Sequence, residues 1–400
     1  MNGGSGVPAW QPELSVFLAI GFRPFFLAAG LWAAAALAMW IAMLNGQISL
    51  PSRFDPLDWH IHEMLFGFVM ATVAGFLLTA IPNWTGRQPV RGWLLGGLAG
   101  LWLLGRVVCL VSDWMPGWLS VAADLSFPVA LAGVVAREIV AARNWRNLMI
   151  VAPVTLFGVA NLLMHLQAAG VDVPPGVGWR LGLIAALILI SVIGGRIVPA
   201  FTRNWLMGRG KRGNDLPAAP GWVDRAALGA LHAGLLVWAL LPDLHPLGWL
   251  LIGAAALNAL RLARWRGIAT GAEPLLAVLH VGYAWLVLGV ALLGIALLVP
   301  SFPRSAAIHA LTAGAIATTI LAVMTRATLG HTGRRLTAGA TTVAIYGLIL
   351  VASLLRVTAA WAGGDTMPLL IAASIAWTAA FSLFAVVYGP MLVGRQQPQS

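Results

Sequence analysis

Twelve apolar stretches follow one another along the chain, separated by short polar breaks rich in Gly, Pro and Arg. They run Pro24–Leu44, Asp58–Ala80, Trp93–Val111, Trp118–Ala141, Leu148–Ala169, Trp179–Ala200, Trp222–Leu241, Leu247–Trp265, Pro274–Val299, Ser305–Thr325, Ala338–Trp361 and Pro368–Val393. A helix needs about 20 apolar residues to cross the hydrocarbon core of a bilayer. The pattern therefore predicts an all-α polytopic membrane protein with about 12 transmembrane helices. Residues 1–400 form one transmembrane domain, with no room for a separate soluble domain. The longest break, near Phe201–Gly221, carries Arg203, Arg209, Lys211 and Arg212.

Composition supports this reading. Hydrophobic residues make up 60% of the 400 positions, charged residues only 9%, and the mean hydropathy is +0.87. About 25% charged is ordinary for a soluble domain. A soluble fold of this size cannot hide so much apolar surface, and disorder is excluded for the same reason. A net charge of +11 would suggest nucleic acid in a soluble protein. Here the basic residues sit in short loops, so they read as topology signal and as contacts to anionic membrane lipid, and no nucleic-acid partner is expected.

An even number of spans puts both termini on one side. If that side is the cytoplasm, 19 of the 24 Lys and Arg residues, Arg395 among them, are cytoplasmic or near it. Only Arg53, Arg106, Arg180, Arg304 and Arg356 fall toward the other face. The expectation is a multi-pass protein of the bacterial inner membrane with cytoplasmic N and C termini. The 19 tryptophans cluster at span ends, as an interfacial belt does. Met1–Glu13 has no Lys or Arg and no signal-peptide layout, which predicts that the first span is retained.

The candidate chemistry lies in the histidines. His60, His62, His165, His232, His280, His309 and His331 fall in spans or at their ends, while His245 sits in a loop. Neutral imidazole is the commonest metal ligand. Any one of them alone reads first as a membrane histidine bonded to a neighbouring helix. Seven of them, in a chain so poor in other ionisable groups, point to metal. His60 and His62 project about 200° apart on a regular helix, so they serve different partners. Glu63 is placed to orient His60 across one turn. The single cysteine, Cys109, excludes an intramolecular disulfide and a Cys-x-x-Cys-His haem attachment site, so any haem is held non-covalently. Met64, Met70, Met164 and Met324 read mainly as packing residues, although thioether suits copper.

Helices two and ten share a pattern. His62-x4-Gly67-x4-Thr72-x12-Thr85-Gly86-Arg87 matches His309-x4-Gly314-x4-Thr319-x12-Thr332-Gly333-Arg334. Read as an internal repeat, this places His62 and His309 at one depth, opposed as the two axial ligands of a haem iron. Arg23, before Pro24, reads either as an interface anchor or as the partner of a haem propionate. His280 and His331 lie toward the opposite face and suggest a second site, with Met324 and Arg326 nearby. His309 and His331 are 22 residues apart, roughly 33 Å along a helix, and cannot share a metal.

Several motifs are similar to those of the NnrS family. They are Gly21-Phe22-Arg23-Pro24-Phe25-Phe26, Trp59-His60-Ile61-His62-Glu63-Met64, Ile81-Pro82-Asn83-Trp84-Thr85-Gly86-Arg87, Gly195-Arg196-Ile197-Val198-Pro199, and the run Met324 to Arg334. The resemblance covers the first ten spans. It implies a haem- and copper-containing bacterial membrane protein linked to nitric oxide and nitrosative stress, with b-type haem. It implies a metal role for His60, His62, His309 and His331, and by extension for His165, His232 and His280. The expected partners are a small gaseous or nitrogen-oxide ligand and an unidentified electron donor. Helices two and ten also resemble, in architecture, those of haem–copper oxidases. The adjacent histidine pair of that superfamily's seventh helix is missing, so oxygen reduction is not expected. The competing readings are a secondary transporter and a non-catalytic metal-delivery or sensing protein.

Overall fold

A computed structural model describes residues 14–363 and 365–394. The expectations for Met1–Glu13 and Arg395 lie outside the described residues. Among the described residues a short helix, Leu14–Phe17, precedes twelve longer segments: α1 (Phe22–Leu44), α2 (Pro56–Thr85), α3 (Trp93–Leu110), α4 (Gly117–Ala141), α5 (Trp145–Ala168), α6 (Val177–Gly208), α7 (Trp222–Leu240), α8 (Leu247–Ala263), α9 (Pro274–Leu298), α10 (Arg304–His331), α11 (Ala340–Trp361) and α12 (Met367–Val393). Eleven are long and apolar enough to span a membrane; α8 is shorter. The described residues contain no strand. The fold is an all-α multi-pass bundle, as the apolar pattern predicts.

Local chemistry sets the helix ends. Asp55 accepts the Asp58 amide at 3.0 Å and Pro56 takes the first turn, so α2 starts two residues before its apolar run. It stops at Gly86, whose positive φ closes the C-terminus. Helix α6 overruns its apolar stretch. It continues to Gly208 as an amphipathic extension, and the Arg209 guanidinium stacks 4.0 Å over the Trp205 ring. The basic loop therefore begins about two turns later than the apolar pattern predicts.

The central helices are α2, α6 and α10, the most deeply enclosed spans. Each carries a wide π-helical stretch: Glu63–Val69, Ile190–Gly194 and Ala310–Ala317. Such turns are rare and frequently mark functional sites. In α2 and α10 the stretch begins one residue after His62 and after His309. In both, the glycine five residues past the histidine lets an indole approach. A Cβ on Gly67 would lie 2.5 Å from Trp32 Nε1, and one on Gly314 2.6 Å from the Trp285 ring. The repeat thus extends from sequence to backbone form.

Helix α12 packs on both α1 and α11, joining the two ends of the chain. Arg23 fixes that junction. One guanidinium nitrogen donates to the carbonyls of Leu392 at 2.7 Å, Gly394 at 2.8 Å and Met391 at 3.3 Å. The residue caps the last turn of α12, whose carbonyls have no partner within the helix.

Candidate metal centre

Four donor groups from four helices converge near the face that carries the α1–α2, α3–α4 and α5–α6 connections. They are His62 (α2), Cys109 (α3), Asp124 (α4) and His165 (α5), all buried, with ligand atoms within 4.8 Å of one another. Asp124 lies seven residues into α4, roughly 10 Å along its axis. Among the described residues no other group of three or more His, Cys, Asp or Glu side chains converges in this way.

The sequence builds this cluster by helical spacing. Arg106 and Cys109 are three residues apart and share a face of α3. Asn161 and His165 are four apart on α5 and share another. Gly105 has no Cβ where Asp124 Oδ1 needs to sit. The α1–α2 loop closes the outside. Ser52 Oγ donates to the Cys109 carbonyl at 2.8 Å, and the Phe54 ring lies 4.6 Å from His62 and 4.9 Å from His165.

Charges in this pocket are bonded, but they do not balance. Arg106 donates to Glu63 Oε2 at 2.6 Å and to Asp124 Oδ1 at 2.5 Å. Trp32 Nε1 donates to Glu63 Oε2 at 2.8 Å, and Asn161 Nδ2 donates to Asp124 Oδ2 at 2.8 Å. One guanidinium faces two carboxylates, so with neutral imidazoles the set carries −1. Buried charge of this kind demands compensation.

The hydrogen bonds of His62 show where the missing charge belongs. Its Nδ1 lies 3.0 Å from Glu63 Oε1, which can only accept, so Nδ1 carries the hydrogen. Nε2 then holds the lone pair, yet it faces Asn161 Oδ1 at 3.0 Å and Asp124 Oδ2 at 3.1 Å. Both are acceptors. His165 Nε2 meets the same Asp124 oxygen at 3.1 Å. A lone pair aimed at two acceptor oxygens is repulsive unless a proton or a metal cation stands between them. Glu63 orienting His62 from behind is the arrangement that carboxylates adopt behind metal-bound imidazoles. Two imidazoles, a thiol and a carboxylate therefore fit a metal ion, and the nitrogen–sulfur part of the set suits copper.

The other histidines occupy separate surroundings. His60 stacks on Trp40 with ring centroids 4.8 Å apart, and its buried Nδ1 has no hydrogen-bond partner among the described residues. Glu63, expected to orient His60, bonds to His62 instead, while the His60 ring is taken up by its stack on Trp40. His309 Nδ1 donates to the Ser305 carbonyl at 2.7 Å, and the ring lies within electrostatic reach of His60 and Arg356. The structure brings His309 beside His60 and not beside His62, whose ring is enclosed by Phe54, Phe66 and His165.

The expected opposed pair of His62 and His309 is therefore not assembled. His232 Nε2 bonds to Ser191 Oγ at 2.8 Å, in the π-helical stretch of α6. His280 Nε2 bonds to Thr202 Oγ1 at 2.9 Å, and the ring packs against Gly267 in the α8–α9 connection. His331 faces α1 instead, 5.4 Å from the Phe22 ring, and Met324 lies against Thr72 and Gly30. Arg23 spends its bonds on the end of α12, which favours its anchoring role.

Cys109, Asp124, Glu63, Arg106 and Asn161 complete the centre, and sequence reasoning does not group them. The available signal was ionisable residues inside spans that hold almost none.

Residues 16–396 match the family described as NnrS protein, nearly the whole chain. No curated protein matches.

Proposed function

Because the chain belongs to the NnrS family, we propose that it is a haem- and copper-containing inner-membrane protein that binds or turns over nitric oxide or a related nitrogen oxide. The observation that carries the copper assignment is the geometry of His62 Nε2, a lone pair turned toward acceptor oxygens in a pocket one positive charge short. His62, His165, Cys109 and Asp124 would hold the ion. A bound copper ion supplies one-electron redox chemistry and an affinity for nitrogen oxides. Glu63 fixes the ring of His62, Arg106 holds both carboxylates in place, and Phe54 excludes water from the donor side. The two termini are assigned to the cytoplasm on the distribution of basic residues.

For haem the residues that fit are His60 and His309, not His62 and His309. The Nδ1–H of His309 is committed to a carbonyl, which leaves Nε2 as the coordinating nitrogen. His60 presents a buried nitrogen without a partner. Arg356 is the nearby cation for a propionate.

Absorption spectra and metal analysis of the purified protein test the reading. His60→Ala and His309→Ala should lose the low-spin haem spectrum and keep copper; His62→Ala should do the reverse. A protein with neither chromophore nor copper after metal-replete expression overturns it. One observation favours ion-coupled transport as a second reading: the Glu63–Arg106–Asp124 network beside a π-helical stretch of α2. A metal-free protein that carries an ion gradient would establish that alternative.

A further inference from the structure

A cavity of about 370 Å³ opens near the opposite face, between α2, α6, α9 and α10. Most of its wall is apolar, including Phe26, Phe76, Trp84 and Phe201. Arg326 and His331 supply the basic groups, and among the described residues no carboxylate lines it. The cavity belongs to the motif running from Met324 to Arg334, which the metal centre does not use.

Arg326 is the informative residue. It lies on α10 within a span, half-buried, with its guanidinium 4.3 Å over the Phe201 ring. No acceptor among the described residues hydrogen-bonds it. Its electrostatic neighbours are Glu273 and Tyr346. The Glu273 carboxylate accepts the amides of Leu275 and Ala338, and the Tyr346 hydroxyl pairs with Thr325 at 2.6 Å. A guanidinium in a span normally pairs or faces water, because leaving it unpaired is costly. Eight residues on, Arg334 keeps a buried Nη1 that also has no hydrogen-bond partner among the described residues. This corner of the protein is therefore short of an anion.

We infer that the cavity binds an acidic phospholipid, with Arg326 holding the phosphate and part of one acyl chain filling the apolar pocket. The volume is at the lower end of small-molecule sites, roughly 300–1,000 Å³, too small to enclose a two-chain lipid. The second chain stays in the bilayer. The cavity reaches the surface at Asn83, Gly330 and Leu336, all exposed, where a headgroup would enter. Basic pockets between transmembrane helices attract anionic headgroups for the same electrostatic reason. The inference does not depend on either metal assignment.

Trp84 lines the cavity and reports on it. The experiment titrates detergent-solubilised full-length protein with phosphatidylglycerol or phosphatidylcholine bearing dibrominated acyl chains. The component of tryptophan quenching that is lost in Trp84→Phe measures occupancy. The expected result is about a fivefold to tenfold preference for phosphatidylglycerol. Arg326→Gln should reduce binding to the phosphatidylcholine level. Arg326→Lys should retain part of the preference, since it keeps the charge and loses the planar fork. Ala327→Leu, which fills the cavity and leaves the charge intact, should abolish the Trp84 component, and it carries the test where Arg326→Gln does not fold. Equal quenching by the two lipids, or an unchanged preference in Arg326→Gln, overturns the inference. So does stronger displacement by free oleate or by a short-chain quinone, which would identify a different ligand.

Discussion

Replacing Arg106 with Met removes the one cation of the metal pocket while roughly keeping its volume. The native set of Glu63, Asp124 and Arg106 sums to −1. Arg106→Met leaves −2 at a fully enclosed site, and two charge-assisted bonds, at 2.6 and 2.5 Å, are lost with it. Breaking a buried ion pair from one side costs about 3–5 kcal/mol, because the partner charge is left uncompensated. Adding Glu63→Gln returns the sum to −1; its one amide oxygen accepts from Trp32, and its NH2 donates to His62 Nδ1 in the other tautomer of that ring. The double variant should therefore be more stable than Arg106→Met alone, by about 0.5–3 kcal/mol of coupling. Reversible unfolding of metal-free protein in mixed micelles, followed by tryptophan fluorescence, measures both. A loss below about 1 kcal/mol for Arg106→Met, or a double variant less stable than the single one, would refute the charge accounting.

Other outcomes follow from the same structure. Gly67→Val and Gly314→Val should each lower stability or yield by driving Trp32 or Trp285 from its place, and the Val substitution at exposed Gly97 should not; equal thermal melts of all three would break the repeat argument. Arg23→Gln should loosen the end of α12, seen as faster amide exchange over residues 388–394 with the metal content unchanged; each charge-assisted bond lost is worth about 1.5–3 kcal/mol. Reporter fusions after Arg212 should read cytoplasmic and those after Asp365 periplasmic, and the reverse at both sites would invert the orientation.

Helix number and placement were legible because a lipid-crossing helix needs a long apolar run, and little else produces one. The extension of α6 was not, because the end of an apolar run does not mark the end of a helix that continues as an amphipathic segment. Arg203, Asn204 and Trp205 are polar or interfacial, yet the backbone stays helical to Gly208. The divergence of His60 and His62 followed from the helical period. Which of them meets His309 did not, because that depends on how α2 and α10 rotate about their axes, and the π-helical stretches alter that rotation. Cys109 was invisible as a ligand. A lone thiol in an apolar run looks like a packing residue, and only the approach of α3 to α2, α4 and α5 gives it partners.

X-ray absorption at the copper edge of the purified protein bears most directly on the assignment of His62, Cys109, Asp124 and His165 to one copper ion. A sulfur scatterer together with imidazole nitrogen is expected, with the loss of the sulfur shell in Cys109→Ser. A copper spectrum without sulfur, or one that Cys109→Ser leaves unchanged, would contradict it.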